Sequence, residues 1–135
     1  MNKEKKLAYL MRKDILIMTT KAKSAHLASC LSCVDIIATI YSNFKIKNNE
    51  NRFILSKGHA ALALYSVLYR NKIISKKLFE SFCKKGSILE EHPSSKLKGV
   101  ECSTGSLGHG LSFGNGLAIS YKLKKKNSKN FCFIE

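Results

Sequence analysis

A single proline and eight glycines in 135 residues leave this sequence short of the breakers that long linkers need. No window holds the roughly 18 or more apolar residues of a membrane span. The start, MNKEKKLAYLMRKD, is basic like a signal n-region, but charges interrupt the apolar run that should come next and no secretory pattern forms. The expectation is a cytoplasmic protein with no membrane segment. Internal repeats are absent. The apolar share of 44% is globular and excludes a disordered chain. The length suits one domain over residues 1–135 and is too short for two ordinary ones.

Acidic residues are scarce as well: nine Asp and Glu stand against 24 Lys and Arg, for a net charge of +15. Such an excess raises nucleic-acid binding, where basic side chains neutralise phosphates. Yet the lysines are scattered, with one modest run from Lys122 to Lys129 (KLKKKNSK). Aromatic-basic interleaving, helix-turn-helix spacing and zinc-finger spacing are all missing. The reading is a solvated basic surface with no nucleic-acid partner, compatible with phosphorylated ligands. The five cysteines, Cys30, Cys33, Cys83, Cys102 and Cys132, are odd in number and lack a secretory context, which points to reduced thiols. Cys30 and Cys33 have CxxC spacing, but no second ligand pair comes after them to complete a zinc site. They read as two small residues packed at a helix start.

Leu7, Leu10, Met11, Ile15, Met18 and Ala22 recur at helical steps and predict a helix from about Glu4 to Lys23. Ser24 to Ser29 is a small-residue stretch without helical punctuation. Ser32, with Asp35 three residues on, suits an N-cap for a second helix reaching about Phe44. Asn48 to Asn51 reads as a polar turn. Arg52 to Leu55 reads as a short strand that ends in Ser56-Lys57-Gly58-His59, followed by a helix to about Tyr69. Such a strand, glycine turn and helix is an α/β unit, in which ligands gather at the carboxyl ends of strands. Ser75 is expected to cap a short helix through Cys83, and Lys84 to Ser106 to be mostly loop, a length that is usually functional or disordered. A glycine-dense helix is expected from about Leu107 to Lys124, then a strand from Phe131 to Ile134.

Thr104-Gly105-Ser106-Leu107-Gly108-His109-Gly110 is the most informative stretch. Its glycines allow a tight turn and close approach to a ligand, and the amides of the following helix start favour negative charge. It is neither a phosphate-binding Walker loop nor a Rossmann fingerprint. On spacing alone, a phosphate-bearing or heterocyclic ligand and mere close packing by Gly108, Gly110, Gly114 and Gly116 both stay open. All four histidines, His26, His59, His92 and His109, lie beside breaks in secondary structure, where binding groups concentrate. Glu90-Glu91-His92 is adjacent in sequence but lacks metal-ligand spacing and reads as a charged loop.

Together these segments resemble the transketolase family. Lys21 to His26, then Leu31 to Ile36, is similar to K-A-x-S-G-H followed by L-S-x-x-D-I. Phe53 to Ala61 resembles F-I-L-S-K-G-H-A-A, Glu91-His92-Pro93 resembles G-H-P, and Ser103 to Gly110 resembles S-T-G-S-L-G-x-G. The four motifs stand in family order and cover nearly the whole chain. Related thiamine-diphosphate enzymes, the deoxyxylulose-phosphate synthase and ketoacid dehydrogenase E1 subunits, resemble it less in the S-K-G-H-A-A and T-G-S-L-G-x-G pair.

The resemblance implies an α/β, incomplete three-layer parallel-sheet thiamine-diphosphate-binding fold with helices on both faces. It implies ketol transfer between sugar phosphates, with His26, His59 and His92 lining the catalytic channel. His59, Gly105, Ser106 and Leu107 match cofactor-binding positions. The cofactor would be the electron sink while the protein orients groups and stabilises charge. In place of the family's Ser-Gly-His stands Ser24-Ala25-His26. After the last strand the family continues with an Asp-Gly-Glu segment and an asparagine that hold Mg2+, whereas this sequence stops at Ile134-Glu135. The resemblance therefore implies no metal ligands in this chain and inactivity alone. It implies dependence on a C-terminal transketolase chain or domain and on dimerisation, as a truncated product, half of a split enzyme or a non-catalytic interaction fragment.

Overall fold

The computed structural model describes residues 2–46 and 51–134. Helix α1, Lys3–Ala22, is capped by Asn2, whose side chain accepts from the Lys5 amide at 3.0 Å. It buries Ala8, Met11, Asp14, Ile15 and Met18, spaced along one helical face. Lys23 ends it in the left-handed region (φ 51°), returning its N–H to Thr19 and Thr20.

The next segment departs from expectation. Ser24 to Ser29 is not plain connection: His26 turns the chain (φ 68°) and α2, Leu27–Ser32, begins at once, sinking Cys30 into the core. Ser32 does not cap a helix. It is the last residue of α2, and its hydroxyl donates to the Ser29 carbonyl at 2.9 Å. Cys33 forms the junction, and α3, Val34–Asn43, starts without a side-chain cap. Asp35 is occupied elsewhere, pairing with Arg12 of α1 at 2.5 Å. The C-terminal limit of α3 agrees with expectation, Phe44 being extended. Of the expected polar turn, residues 48–50 lie outside the described residues; Asn51 accepts from the Lys129 amide at 3.0 Å.

Strands β1, Arg52–Leu55, and β2, Asn130–Phe133, pair in parallel, with Arg52 opposite Asn130 and Leu55 opposite Phe133. Alternation divides the sheet's two faces. Phe53 and Leu55 join the core made by α1, α3 and α4 (Ala61–Arg70), where Tyr41 meets Phe53 edge-on at 5.5 Å. Ile54 and Cys132 face the opposite way, against Gly114 of α6, His109–Leu123. Helices thus cover both faces of a parallel sheet, the α/β arrangement expected. Helix α4 is buried from Ala61 through Leu68, a run that only a central helix sustains.

Ser75 caps α5, Lys76–Phe79, by accepting from the Leu78 amide at 3.1 Å. The helix is shorter than expected, because Glu80 to Cys83 turn and Cys83 adopts φ 55°. The loop from 84 to 106 is irregular but anchored by buried Leu89, Leu97 and Val100. Helix α6 begins two residues later than expected because Gly108 (φ 74°) precedes it in the left-handed region. Among the described residues no helix is long and apolar enough to cross a membrane.

The CxxC pair is core material. Cys30 is 2% and Cys33 0% exposed, and the Cys33 thiol donates to the Cys30 carbonyl at 3.3 Å. Burial, with the Cys30 thiol alongside, pushes the Cys33 thiol up to about 12. Its unfolded value lies near 8.5. Below that value both states hold the proton; above it the unfolded chain ionises first, so stability falls as pH rises. The expected slope is about 1.4 kcal/mol per pH unit between about pH 9 and 12 from this one thiol. Urea midpoints measured across that range check it, and Cys33→Ala should flatten the slope.

Candidate active site

Both strands deliver their carboxyl ends to the same place. The Ser56 and Lys57 amides donate to the Phe133 carbonyl at 2.8 and 3.2 Å, so the chain leaves β1 into the 3₁₀ turn Gly58–Ala60 still tied to β2. Three further contacts lock the glycine-rich segment onto this turn. Thr104 donates its hydroxyl to the Leu55 carbonyl at 2.7 Å, and the Gly110 amide donates to the Ser56 hydroxyl at 3.1 Å. Gly58 lies so close to the other loop that a Cβ would sit 2.7 Å from the Gly105 nitrogen. The glycines here are close-approach positions, between backbone and backbone.

Onto this platform the structure brings His26, His59 and His92. Ring centroids are 4.8 Å apart for His26 and His59, 4.9 Å for His59 and His92, and 6.1 Å for His26 and His92, all edge-on. Each comes from a different element. His26 sits where α1 gives way to α2; Ala25 is not among the positive-φ residues, and its amide donates to Glu91 at 3.0 Å, tying this turn to the loop of His92. His59 lies within the 3₁₀ turn, its carbonyl near the Cys30 thiol at 3.8 Å. The His92 carbonyl accepts from the Tyr65 hydroxyl at 3.1 Å, and its ring lies against Gly105, where a Cβ would meet Cδ2 at 3.0 Å. Burial pushes the Tyr65 phenol up and keeps it a donor. Beside His92 opens a crevice of about 740 Å³ whose rim carries Lys23, Lys84 and Lys85.

Gly105 therefore touches the cluster, whereas Ser106 and Leu107 lie exposed beyond it, Leu107 at 68%. His109 is exposed and makes no ring contact with the other histidines among the described residues. Ser56, Thr104 and Gly110 lie inside the motifs read from the sequence but carry no site role there; nothing marks Tyr65. Among the described residues no group of three or more His, Cys, Asp or Glu side chains gathers as metal ligands would.

The family described as transketolase, thiamine diphosphate binding domain, matches residues 4–132. The chain belongs to this family. Among transketolase relatives, one of the subunits of the apulose-4-phosphate transketolase of Phocaeicola vulgatus is 36% identical over 130 residues, covering 91% of this chain and 46% of that protein. Its counterpart from Actinobacillus succinogenes is 33% identical, covering 97% and 50%. Human transketolase is 33% identical over 138 residues, covering 96% of this chain and 22% of the relative. A transketolase structure from Leishmania mexicana superposes with a TM-score of 0.88 at 22% identity, over 99% of this chain and 23% of that one, and so shares the fold. The chain spans half or less of the length of these transketolase relatives.

Two glycines of α6 make opposite predictions. Gly110→Ala would place a Cβ 2.6 Å from the Ser56 Cβ, and is expected to cost about 1–3 kcal/mol as the helix start shifts off the turn. Gly116→Ala meets nothing within 4 Å and should stabilise by about 0.5–1 kcal/mol through helix propensity. Chemical denaturation of the two variants beside the parent reads both.

Proposed function

We propose that this transketolase-family chain is the N-terminal portion of an enzyme that uses thiamine diphosphate to move a two-carbon ketol unit between sugar phosphates. The observation that supports this most is the joining of three imidazoles to a glycine cradle at the carboxyl end of a parallel sheet. The cradle suits the cofactor: Gly58 and Gly105 approach backbone to backbone, and Gly108 opens onto empty space. Gly105 and Ser106 would offer backbone groups to thiamine and Leu107 its aliphatic side chain, with His59 near the diphosphate. No comparable set of described residues fits Mg2+.

Thiamine diphosphate, when bound, supplies the electron sink for carbon–carbon cleavage and formation. The chain's own part is positional and electrostatic. His26, His59 and His92 hydrogen-bond substrate hydroxyls, donate to oxygen as it gains negative charge at the reacting carbonyl, and pass protons near neutral pH. The crevice beside His92 is lined by Lys23, Lys84 and Lys85 against Glu90 and Glu91, a small positive excess that is compatible with a phosphorylated substrate.

Two of the relatives are named as one subunit of a transketolase, which favours an assembly in which a second chain completes the site. The exposed apolar residues Leu111, Phe113, Ile119 and Leu123 of α6 are consistent with further protein packing there. The test is ketol transfer by this chain alone and after co-expression with a chain supplying the remaining transketolase parts. Transfer only in the second case is expected; failure in both would leave a non-catalytic interaction module as the better reading. Calorimetric titration with thiamine diphosphate, with and without magnesium, separates cofactor binding from catalysis.

A further inference from the structure

His26 and His92 are the two most separated members of the cluster, with ring centroids 6.1 Å apart against 4.8 and 4.9 Å to His59. Each has its own anchor. The His92 carbonyl is held by the Tyr65 hydroxyl at 3.1 Å, and the His26 carbonyl accepts the Cys30 amide at 3.0 Å as α2 begins. Neither anchor sets the spacing between the two turns. The hydrogen bond that crosses directly from one to the other runs from the Ala25 amide to the Glu91 carboxylate, 3.0 Å long and spanning 66 residues of sequence.

Two features make this tie more than a surface contact. His26 is a non-glycine residue in the left-handed region, with φ 68° and ψ 19°. That conformation costs free energy and persists where neighbouring contacts hold it. Ala25 comes immediately before it, so the Glu91 carboxylate grips the turn where the strain sits. Glu91 is also half-buried, and it lies with His26 and His59 around a gap of only about 10 Å³. Both partners stand where the transketolase motifs carry glycine, Ala25 in S-G-H and Glu91 in G-H-P. A glycine at 91 would offer no side-chain acceptor, so the tie belongs to this chain and not to the motif.

We propose that Glu91 is a positioning residue: its carboxylate fixes the His26 turn against the His92 loop and sets the gap in which substrate oxygens meet the two imidazoles. The catalytic consequence rests on the ketol-transfer reading of the cluster, whereas the spacing rests on geometry alone. Glu91 touches no reacting atom and acts through His26 and His92.

Glu91→Ala removes the acceptor, and Glu91→Gln keeps an oxygen for the Ala25 amide while removing the charge. In the full chain, Glu91→Ala should speed hydrogen exchange of the Ala25 amide about tenfold and move the imidazole resonances of His26 and His92. Its urea midpoint should stay close to the parent's, and Glu91→Gln should return both signals toward the parent. Ketol transfer is then measured with a chain that supplies the remaining transketolase parts. Glu91→Ala should lower kcat about tenfold, the effect of one hydrogen bond to a charged group, with KM within about threefold of the parent. Glu91→Gln should recover most of that loss. Unchanged Ala25 exchange and imidazole resonances in Glu91→Ala would overturn the proposal. So would a large fall in the midpoint, which would make the contact a prop of the fold, or no recovery with Glu91→Gln, which would assign the effect to charge. A kcat within about twofold of an active parent, despite moved resonances, also overturns it, because the gap would not govern the reaction. An inactive parent would sink the ketol-transfer reading instead, and the exchange and resonance signals would still decide whether Glu91 sets the spacing.

Discussion

On the proposed function, replacing His59 by alanine is expected to reduce ketol transfer by about 10²–10⁴-fold, the range for losing a positioned acid-base group, in an assay with a chain that supplies the remaining transketolase parts. His59 is the residue on which the cluster converges: it lies 4.8 Å from His26 and 4.9 Å from His92, while those two stand 6.1 Å apart. It is also carried by the turn that joins β1 to α4, between strand ends and the glycine cradle, so its backbone is held on both sides. The loss corresponds to about 3–5 kcal/mol of transition-state stabilisation. His92→Ala should cost less, because that ring is exposed and its loop is held through the backbone. A structural role alone would lower the unfolding midpoint and leave the pH profile of kcat in place. A proton-handling role removes a limb of that profile, and His59→Gln restores hydrogen bonding without restoring the limb. Activity of His59→Ala within a few-fold of the parent would remove His59 from the chemistry.

The sequence carried the elements that owe their shape to local pattern. The apolar steps of α1, the Arg52–Leu55 strand running into Ser-Lys-Gly-His, the Ser75 cap and the late glycine helix all lie within a few residues of where periodicity and capping put them. The errors share a cause: a long-range contact overrides a local rule. Ser32 and Asp35 look like a helix cap in one dimension, but Arg12, 23 residues earlier, takes Asp35. Ser24 to Ser29 lacks helical punctuation, but burial of Cys30 against the core holds a short helix there. For the site, four motifs spread over the chain singled out the histidines, and the structure brings three of them together. What no motif could show is the reason they meet: Tyr65 reaching the His92 carbonyl, Glu91 reaching Ala25, and Thr104 reaching Leu55 are contacts across 27, 66 and 49 residues.

That dependence on distant contacts makes the Asp14 cluster the place where the whole arrangement is most exposed to a single change. Asp14 is 6% exposed in the middle of α1, and its carboxylate accepts from Arg70 through both Nε, at 2.7 Å, and Nη2, and from the Ser66 hydroxyl at 2.8 Å. Ser66 is fully buried, so removing the carboxylate strands a buried hydroxyl as well as a guanidinium that is three-quarters covered. Breaking a buried pair from one side costs about 3–5 kcal/mol, a large part of the roughly 5–15 kcal/mol that holds a domain together. Because Arg70 keeps partial access to water, Asp14→Ala is expected at the lower end, about 3 kcal/mol, read as a shift of the urea midpoint without a change in slope. Removing both partners, Asp14→Ala with Arg70→Met, should cost less than Asp14→Ala alone, since the stranded charge goes with them. The consequence reaches the site, because α4 carries Tyr65, which holds His92, and starts directly after the turn that carries His59. Asp14→Ala should therefore weaken thiamine-diphosphate binding at temperatures where the far-ultraviolet signal is still native, and the double variant should recover it in part. A midpoint unchanged by Asp14→Ala would mean that α1 and α4 are held by apolar packing alone.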